Sequence, residues 1–372
     1  MAATAPETFA SRWTGVASVL MALVGWSSIP LFLKHFAGLI DPWTSNGWRY
    51  AFSALFWSPV IVIGLARRSL PPGIWRAALW PSLINCAAQV VFCLAHYKID
   101  PGLLAFGLRS NIVFTTVGAA IMFASERRVI RSPGFMLGVM LVIAGTTGTI
   151  LLGEGVPAGS TLTGVVLAIS AGAGFAAYAL AVRRCMHGVN AIQSFAVISL
   201  YTAAGMVALM LVYGREAGLG ALGLVGRPLG DAPAVPILFD QFGMLLLSSL
   251  IGIALGHVAY YYAIARLGVA VSSGVVQLQP FFVSLGSLAL FGEELTPLQW
   301  GSGGIAVSGA TLILVVQHFL HRQGPPEASA PGRADFAELP PDHVAAATAS
   351  ERDRAGLAPG ADARAEGSGH AD

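Results

Sequence analysis

Long apolar segments, separated by short polar stretches, run through most of the chain. A helix that crosses a membrane needs about 20 consecutive, mainly apolar residues, and ten segments come up to that length. We therefore predict an all-α polytopic membrane protein with ten transmembrane helices. The predicted spans are residues 13–35, 42–66, 74–97, 101–124, 133–152, 163–182, 191–213, 241–264, 269–292 and 299–319.

The composition agrees with this prediction. Hydrophobic residues make up 55% of the chain and charged residues 11%, whereas roughly a quarter of the residues of a soluble domain are charged. The Lys and Arg residues are scattered over short loops, so we expect no nucleic acid partner. The three cysteines form no disulfide framework. The expected partners are the lipid bilayer and a small-molecule substrate.

Basic residues fall mainly on one side of the predicted membrane. Loops rich in Lys and Arg stay in the cytoplasm, and here one side carries eleven such residues and the other four. We therefore expect a multi-pass protein of the inner cell membrane with both termini in the cytoplasm. The eleven are Arg12, Arg67, Arg68, Arg76, Arg127, Arg128, Arg131, Arg183, Arg184, Arg266 and Arg322; the four are Lys34, Lys98, Arg215 and Arg227.

Two segments lie outside the spans. Residues 214–240 are rich in Gly and Pro and are predicted to form an external loop. Residues 323–372 contain much Ala, Pro, Gly and charge but few large apolar residues, which predicts a disordered cytoplasmic tail.

An internal repeat links the first five spans to the last five. One set of matches recurs 149 positions further on, and a second set recurs 167 positions further on. The first set pairs Thr14-Gly15-Val16 with Thr163-Gly164-Val165, Gly25-Trp26 with Gly174-Phe175, and Lys34 with Arg183; the second pairs Glu126 with Glu293 and Gly134 with Gly301.

The repeat predicts two five-helix units, residues 1–152 and 153–322, followed by the tail. Because five is an odd number, the two units must insert in opposite orientations. Inverted repeats of this kind form a binding site near the middle of the bilayer, and the site opens alternately to each side.

Several short motifs resemble the EamA-like family of the drug/metabolite transporter superfamily. They are Gln279-Pro280, Gly292-Glu293, Leu295-Thr296, Gln299 and Gly301, together with Trp48-Arg49-Tyr50 in span two. The resemblance covers roughly residues 13–320. It implies ten helices in two inverted halves, a central cavity and export of small metabolites. The first half departs from the pattern. Val113 replaces the proline in the middle of the helix, and Ser125 replaces the glycine that would precede Glu126.

Only Arg49 and Arg109 place a charge well inside the predicted spans, and no Asp or Glu lies there to neutralise them. Charges within a bilayer are costly, so they mark candidate functional sites. A guanidinium group binds carboxylates and phosphates through two parallel hydrogen bonds. Either arginine could thus bind an anionic substrate, or could instead cap helix carbonyls or extend towards the membrane surface.

Two spans carry a polar stripe on one helical face. Span three has Asn85, Gln89, Cys93 and His96 at intervals of four, four and three, and span nine has Ser273, Gln277, Pro280 and Ser284. We expect both stripes to line a hydrated cavity, although hydrogen bonds between helices would explain them too. Superposition of the two halves places Gln277 near the position of Arg109.

Aromatic residues and histidines add further candidates. Trp26 and Phe175 hold equivalent positions in the repeat and could form aromatic walls around a ligand or could simply be packing residues. Pro30 can break the first helix locally near Trp26. His257, close to Tyr260–Tyr262, could relay a proton or could be a buried histidine with satisfied hydrogen bonds.

Spans five and ten carry small residues at close intervals, which predicts tight packing against each other or across a homodimer. These residues are Gly134, Gly138, Gly145, Gly148, Gly301, Gly304, Ser308 and Gly309. The glutamates Glu126 and Glu293 are interpreted as anchors at the membrane boundary, held by ion pairing and helix-end stabilisation.

No motif of an enzyme, a metal site or a cofactor site occurs in the sequence. The leading hypothesis is an exporter of amino acids or other carboxylate-bearing metabolites that works by alternating access. A multidrug efflux pump is an alternative, although such a pump would be expected to hold an acidic residue in the bilayer. A flippase for lipid-linked substrates is another. The predicted substrate-binding residues are Trp26, Arg49, Asn85, Gln89, His96, Arg109, Phe175, His257, Ser273 and Gln277.

Overall fold

The computed structural model describes residues 9–123, 127–152, 158–215, 241–267 and 269–322. Ten helices within these ranges are long and apolar enough to cross a membrane, and these ranges contain no β-strand. The predicted fold class, an all-α polytopic membrane protein with ten spans, is confirmed. Glu126, residues 216–240 of the predicted external loop and the whole predicted tail lie outside the described residues.

We number the spanning helices α1 to α10, and two of them consist of two pieces. They are α1 (Phe9–Ala37), α2 (Pro42–Ala66), α3 (Ile74–His96), α4a (Pro101–Gly107) with α4b (Asn111–Met122), α5 (Pro133–Leu151), α6 (Ala158–Cys185), α7 (Ala191–Tyr213), α8 (Gln241–Leu267), α9a (Val269–Val276) with α9b (Gln279–Phe291), and α10 (Pro297–Arg322).

The start of α2 shows how local sequence fixes these boundaries. Pro42 occupies the first turn, where its missing N–H costs nothing. Asp41 precedes it, and one carboxylate oxygen of Asp41 accepts hydrogen bonds from the backbone nitrogens of Trp43 and Thr44, each over 3.0 Å. Partial burial alone would raise the pKa of Asp41, but these bonds, together with those from the Thr44 hydroxyl and the Arg215 backbone, lower it.

The ten helices alternate in direction, so the bundle has two faces. The Lys34 face contains the end of α1 and the segments at residues 38–41, 97–100 and 292–296. The opposite Arg183 face contains the start of α1, the end of α6 and the end of α10.

Three helices are irregular near their middle. A 3₁₀ turn at Leu108–Ser110 separates α4a from α4b, and a turn at residues 277–278 separates α9a from α9b. In α8, the segment Ser249–Leu255 is a π-helix, a form that is frequent at functional sites. Pro280 explains the break in α9, because it has no N–H to continue the helix.

Pro30 does not break the first helix, although the sequence allowed a local break there. Helix α1 runs without interruption from Phe9 to Ala37 with Pro30 inside it. A proline removes one hydrogen bond, here the bond to the carbonyl of Trp26 four residues earlier, while neighbouring turns keep theirs. In α1 the remaining helical bonds suffice to preserve the helix.

Each of the four main helix pairs joins a helix from the first half of the chain to a helix from the second half. Helix α1 packs against α8 and α6 against α3, while α2 packs against α7 and α5 against α10. The α5–α10 contact brings the backbones close together: a Cβ atom on Gly145 would lie 2.5 Å from the carbonyl oxygen of Ser302 and 2.7 Å from the Cα atom of Ala306. Several small residues of these two spans therefore pack against each other within one chain.

Candidate functional site

Arg109 lies in the 3₁₀ turn between the two pieces of α4, and its guanidinium group reaches across to the break in α9. Nε donates to the carbonyl oxygen of Ala105 over 3.3 Å. Nη1 donates to the carbonyl oxygen of Val276 and to Oε1 of Gln277, both over 3.3 Å. Nη2 donates to Oε1 of Gln279 over 2.9 Å. Arg109 is only 8% exposed, so a buried cation rests here on four neutral oxygen acceptors.

Two prolines supply acceptors for this arrangement. Pro280 cannot donate to the carbonyl of Val276, four residues earlier, and that carbonyl accepts from Arg109 instead. The carbonyl of Trp26 lacks its helical donor for the same reason, and Nε2 of Gln279 donates to it over 2.9 Å. We call Trp26, Arg109, Val276, Gln277 and Gln279 the arginine network. It joins α1, α4 and α9 near the middle of each helix.

The Trp26 ring extends this network towards α8. Its centroid lies 4.8 Å from that of Tyr260 and 5.3 Å from that of His257. The His257 ring stacks on Phe195 at 4.9 Å, and its Nδ1 atom lies 2.9 Å from the carbonyl oxygen of Ile253. Nε1 of Trp26 is buried without a hydrogen-bond partner among the described residues. It is therefore a donor available to a ligand.

Phe175 and His96 lie around an apolar cluster that also contacts Trp26. The Phe175 ring packs against Phe92 at 5.5 Å, and Phe92 packs against His96 at 4.5 Å. Nδ1 of His96 lies 2.8 Å from the carbonyl oxygen of Phe92. We call the buried residues of this group the apolar cluster: Ile29, Leu33, Phe92, Cys93, Ala95, Ile99, Leu103, Leu104, Leu108, Ala168 and Ala171.

Arg49 lies apart from the arginine network. It is 1% exposed, its Nε donates to the hydroxyl of Ser248 over 3.0 Å, and its carbonyl oxygen accepts from the hydroxyl of Ser249. These bonds join α2 to the start of the π-helix in α8. The guanidinium group thus bonds to a serine hydroxyl, while its Nη2 atom is buried without a hydrogen-bond partner among the described residues.

The polar stripe of α3 makes contacts between helices. Nδ2 of Asn85 donates to the hydroxyl of Thr202 on α7 over 3.2 Å. The backbone carbonyl oxygen of Gln89, and not its side chain, accepts from Nδ2 of Asn46 on α2, also over 3.2 Å. In the α9 stripe, Gln277 belongs to the arginine network, and the side chain of Ser273 lies outside the described residues.

Sequence reasoning missed two features. The first is Gln279, which the sequence marks only as part of a motif with Pro280. The second is a group of three charged residues on the Lys34 face. Nζ of Lys34 lies 2.7 Å from Oδ1 of Asp100 and 2.6 Å from Oε1 of Glu293, which also accepts a hydrogen bond from Ser287. The recurrence of Lys34 as Arg183 was the available signal.

Among the described residues, no group of three or more His, Cys, Asp or Glu side chains could hold a metal ion.

Comparison with known proteins agrees with this architecture. Residues 162–315 match the model of the EamA-like transporter family, a family of the drug/metabolite transporter superfamily. A solved structure described as "Crystal structure of protein" is 15% identical and aligns over 84% of this chain and 100% of that chain, with a TM-score of 0.53. At this identity the likeness supports the fold. No curated protein matches the chain.

Proposed function

We propose that the chain, whose residues 162–315 match the EamA-like transporter family, is a membrane transporter that exports small carboxylate-bearing metabolites, such as amino acids, by alternating access. The substrate carboxylate would bind Arg109. The observation that carries this proposal is the placement of Arg109, a buried guanidinium held between two interrupted helices by neutral acceptors.

Electrostatics favours an anion at this position. Inserting a charged side chain at the centre of a membrane helix costs about 3 kcal/mol on biological insertion scales. Carbonyl and amide oxygens reduce that cost but leave the positive charge in place. A carboxylate would neutralise it and would form short, charge-assisted hydrogen bonds with the guanidinium group.

The surroundings of Arg109 suit a ligand that has both a charged and an apolar part. The indole N–H of Trp26 offers a further donor, and the rings of Trp26, Tyr260 and His257 offer an apolar wall. Transport sites in proteins with repeated halves often lie at discontinuous helices, where backbone groups are free to bind. The breaks in α4 and α9 provide this setting.

Alternating access would follow from an inverted repeat. In support of this proposal, Arg109 in the break of α4 and Gln277 in the break of α9 are 168 positions apart, close to the spacing found in the sequence. The pairing of α1 with α8 and of α6 with α3 also exchanges the two halves. The excess of basic residues on the Arg183 face supports the proposed cytoplasmic location of both termini.

A pump for cationic drugs fits this arrangement less well. A cationic substrate would need a carboxylate within the bilayer, and the ten spans contain no Asp or Glu. The buried charge at the arginine network is positive, the opposite of the carboxylate that a cationic drug would need.

Transport by purified protein in proteoliposomes tests the proposal. A panel of radiolabelled amino acids and organic acids would be assayed with the unmodified protein and with Arg109→Ala, Arg109→Lys and Arg184→Ala. We expect Arg109→Ala to abolish transport without loss of expression, Arg109→Lys to retain part of it, and Arg184→Ala, at an exposed position on the Arg183 face, to retain all of it. Unchanged transport by Arg109→Ala would overturn the proposal.

A further inference from the structure

Three charged residues from three different helices meet on the Lys34 face. Lys34 lies near the end of α1, Asp100 directly precedes α4a, and Glu293 follows the end of α9b. Nζ of Lys34 contacts Oδ1 of Asp100 at 2.7 Å and Oε1 of Glu293 at 2.6 Å. The side chains are 29% exposed for Lys34, 45% for Asp100 and 21% for Glu293, so the contacts are partly withdrawn from solvent. We call these residues the Lys34 triad.

We propose that the Lys34 triad is a proton-binding site, and that a proton bound at Glu293 stabilises the contact that closes the Lys34 face. This inference concerns the coupling ion. It goes beyond the proposed carboxylate export and holds for any substrate.

The charges of the triad provide the first argument. Two carboxylates share one ammonium group, so the fully ionised triad carries a net charge of −1. Addition of one proton to Glu293 makes the triad neutral, and Lys34 then forms an ion pair with Asp100 alone. Burial raises the pKa of Glu293, the nearby Asp100 carboxylate raises it further, and the hydrogen bonds from Lys34 and Ser287 offset only part of this.

The position of the triad provides the second argument. Trp26 precedes Lys34 by eight residues on α1, a distance of about 12 Å along the helix. The apolar cluster fills this interval, where Ile29 and Leu33 pack with residues of α4a, and Leu295 packs against the cluster from beyond α9b. A path along α1 from the Lys34 face to the arginine network would therefore separate α1 from α4a and from Leu295 beyond α9b. The Lys34 triad holds together the ends of these same three helices.

The other ionisable groups near the triad have different partners or face solvent. Nε2 of His35 lies 2.6 Å from Oε1 of Gln241 on α8. On α3, Nδ1 of the buried His96 contacts its own helix, and the hydroxyl of Tyr97 donates to the carbonyl of Ile40. Asp41 caps α2, and the remaining neighbours, Lys98 and Glu294, are exposed. Glu293 and Asp100 thus remain as the carboxylates that face Lys34.

The direction of the pH effect follows from the raised pKa of Glu293. Near the ordinary value of 4.5 and below, Glu293 in the closed protein is protonated, Lys34 pairs with Asp100, and the bound proton stabilises the closed face. As the pH rises through the raised pKa, the closed face must hold two ionised carboxylates beside one ammonium group, and it opens more readily.

Cysteine labelling can detect this opening without any substrate. In a background of Cys86→Ser, Cys93→Ser and Cys185→Ser, Leu33→Cys would report on the apolar cluster, because Leu33 is fully buried. A membrane-impermeant maleimide would be applied to the Lys34 face of the full-length protein in proteoliposomes. Gly38→Cys, where a Cβ atom would meet nothing within 4 Å, would correct for the pH dependence of the thiol reaction itself.

We expect corrected labelling of Leu33→Cys to rise severalfold between about pH 4.5 and about pH 8. With Glu293→Gln added, which mimics the protonated carboxyl group, labelling should be low at both pH values. With Glu294→Gln, which removes the adjacent exposed carboxylate, the pH dependence should persist. If Leu33→Cys impairs folding, Leu103→Cys on α4a is the second reporter, since Leu103 is 5% exposed in the same cluster.

Three results would overturn the proposal: labelling that does not change with pH, an unchanged pH dependence in Glu293→Gln, or a lost pH dependence in Glu294→Gln. The assay contains no substrate and leaves Arg109 intact. A negative outcome would therefore leave the proposed carboxylate transport standing.

Discussion

Gln279 donates a hydrogen bond of 2.9 Å to the carbonyl oxygen of Trp26, the acceptor that Pro30 leaves without a helical donor. Pro280 likewise leaves the carbonyl of Val276 without a helical donor, and Arg109 donates to that oxygen. An unsatisfied backbone group in a membrane costs several kcal/mol. The two prolines therefore make α1, α4 and α9 dependent on one another, although each helix is apolar enough to cross the membrane alone.

A double-mutant cycle tests the link between Pro30 and Gln279. Gln279→Leu removes the donor to Trp26 and should lower stability by about 1–3 kcal/mol. Pro30→Ala restores a backbone N–H four residues after Trp26. It should therefore stabilise the Gln279→Leu protein while changing the unmodified protein little. Thermal unfolding in detergent measures all four members of the cycle.

If Pro30→Ala shifts the unfolding temperature by the same amount with and without Gln279, the two residues are not coupled through the Trp26 carbonyl.

Pro280→Ala should impair transport in a protein that still folds. The new N–H of residue 280 would donate to the carbonyl of Val276 and compete with Arg109 for this acceptor. The interruption of α9 would then close and the guanidinium group would lose part of its support. Transport assays beside thermal unfolding separate this effect from simple destabilisation.

Pro59→Ala in α2 is the matched control. Pro59 is exposed, and the carbonyl that it frees, that of Leu55, accepts from the hydroxyl of Ser58 in the same helix over 2.8 Å. This substitution should leave transport unchanged. An equal loss in both variants would mean that the proline in α9 has no special role.

The ten spans were predictable because an apolar segment of about 20 residues is a strong and local signal. The repeat also showed that Arg109 and Gln277 hold equivalent positions in the two halves, although the hydrogen bond between them did not follow from it. The role of Gln279 did not, because its partner is a backbone carbonyl and no pattern of side chains reveals a carbonyl that a proline has freed. The break in α4 was hidden as well, since Val113 stands where the second half has its proline.

Gly145→Ala should destabilise the protein much more than Gly301→Ala. A Cβ atom on Gly145 would lie 2.7 Å from the Cα of Ala306, and a backbone contact cannot move aside as a side chain can. Overpacking of this kind typically costs about 1–3 kcal/mol. At Gly301 nothing lies within 4 Å of the added carbon, so alanine should be neutral or slightly stabilising.

Thermal unfolding of the Gly145→Ala and Gly301→Ala proteins measures this difference in stability. Equal behaviour would show that α5 and α10 can separate enough to admit a methyl group at Gly145.

The cap at the start of α2 should give stability that depends on pH. Asp41 has a lowered pKa in the folded protein, so its contribution is complete above the unfolded value of 3.8 and is lost as the pH falls through the folded value. At neutral pH, Asp41→Ala should cost about 1 kcal/mol, as is usual for such a cap. The deficit should shrink below about pH 4.

Asp41→Asn provides the comparison for this titration, because it keeps an oxygen acceptor and removes only the charge. Its deficit should be smaller than that of Asp41→Ala. Melting temperatures measured over a series of pH values would contradict the argument if the Asp41→Ala deficit were constant throughout.

The Lys34 triad shows a second limit of sequence reasoning. Lys34 and Asp100 are 66 positions apart, and Glu293 belongs to the other half of the chain. Each looks like an ordinary charge at the end of a span when taken alone. Their meeting depends on how α1, α4 and α9 pack, which hydrophobic periodicity does not specify. The repeat pointed to Lys34 but gave no partner for it.

The arginine network also has a consequence for biosynthesis. Arg109 enters the membrane when roughly the first third of the chain has been made, long before the ribosome reaches Val276, Gln277 and Gln279. Until then the guanidinium group lacks three of its four acceptors, and the Trp26 carbonyl lacks the donor that it has in the finished protein. The first five spans must thus wait in the bilayer as an incomplete intermediate, shielded by the insertion machinery or by water. A nascent chain truncated before residue 276 should be recognised by membrane quality control and degraded.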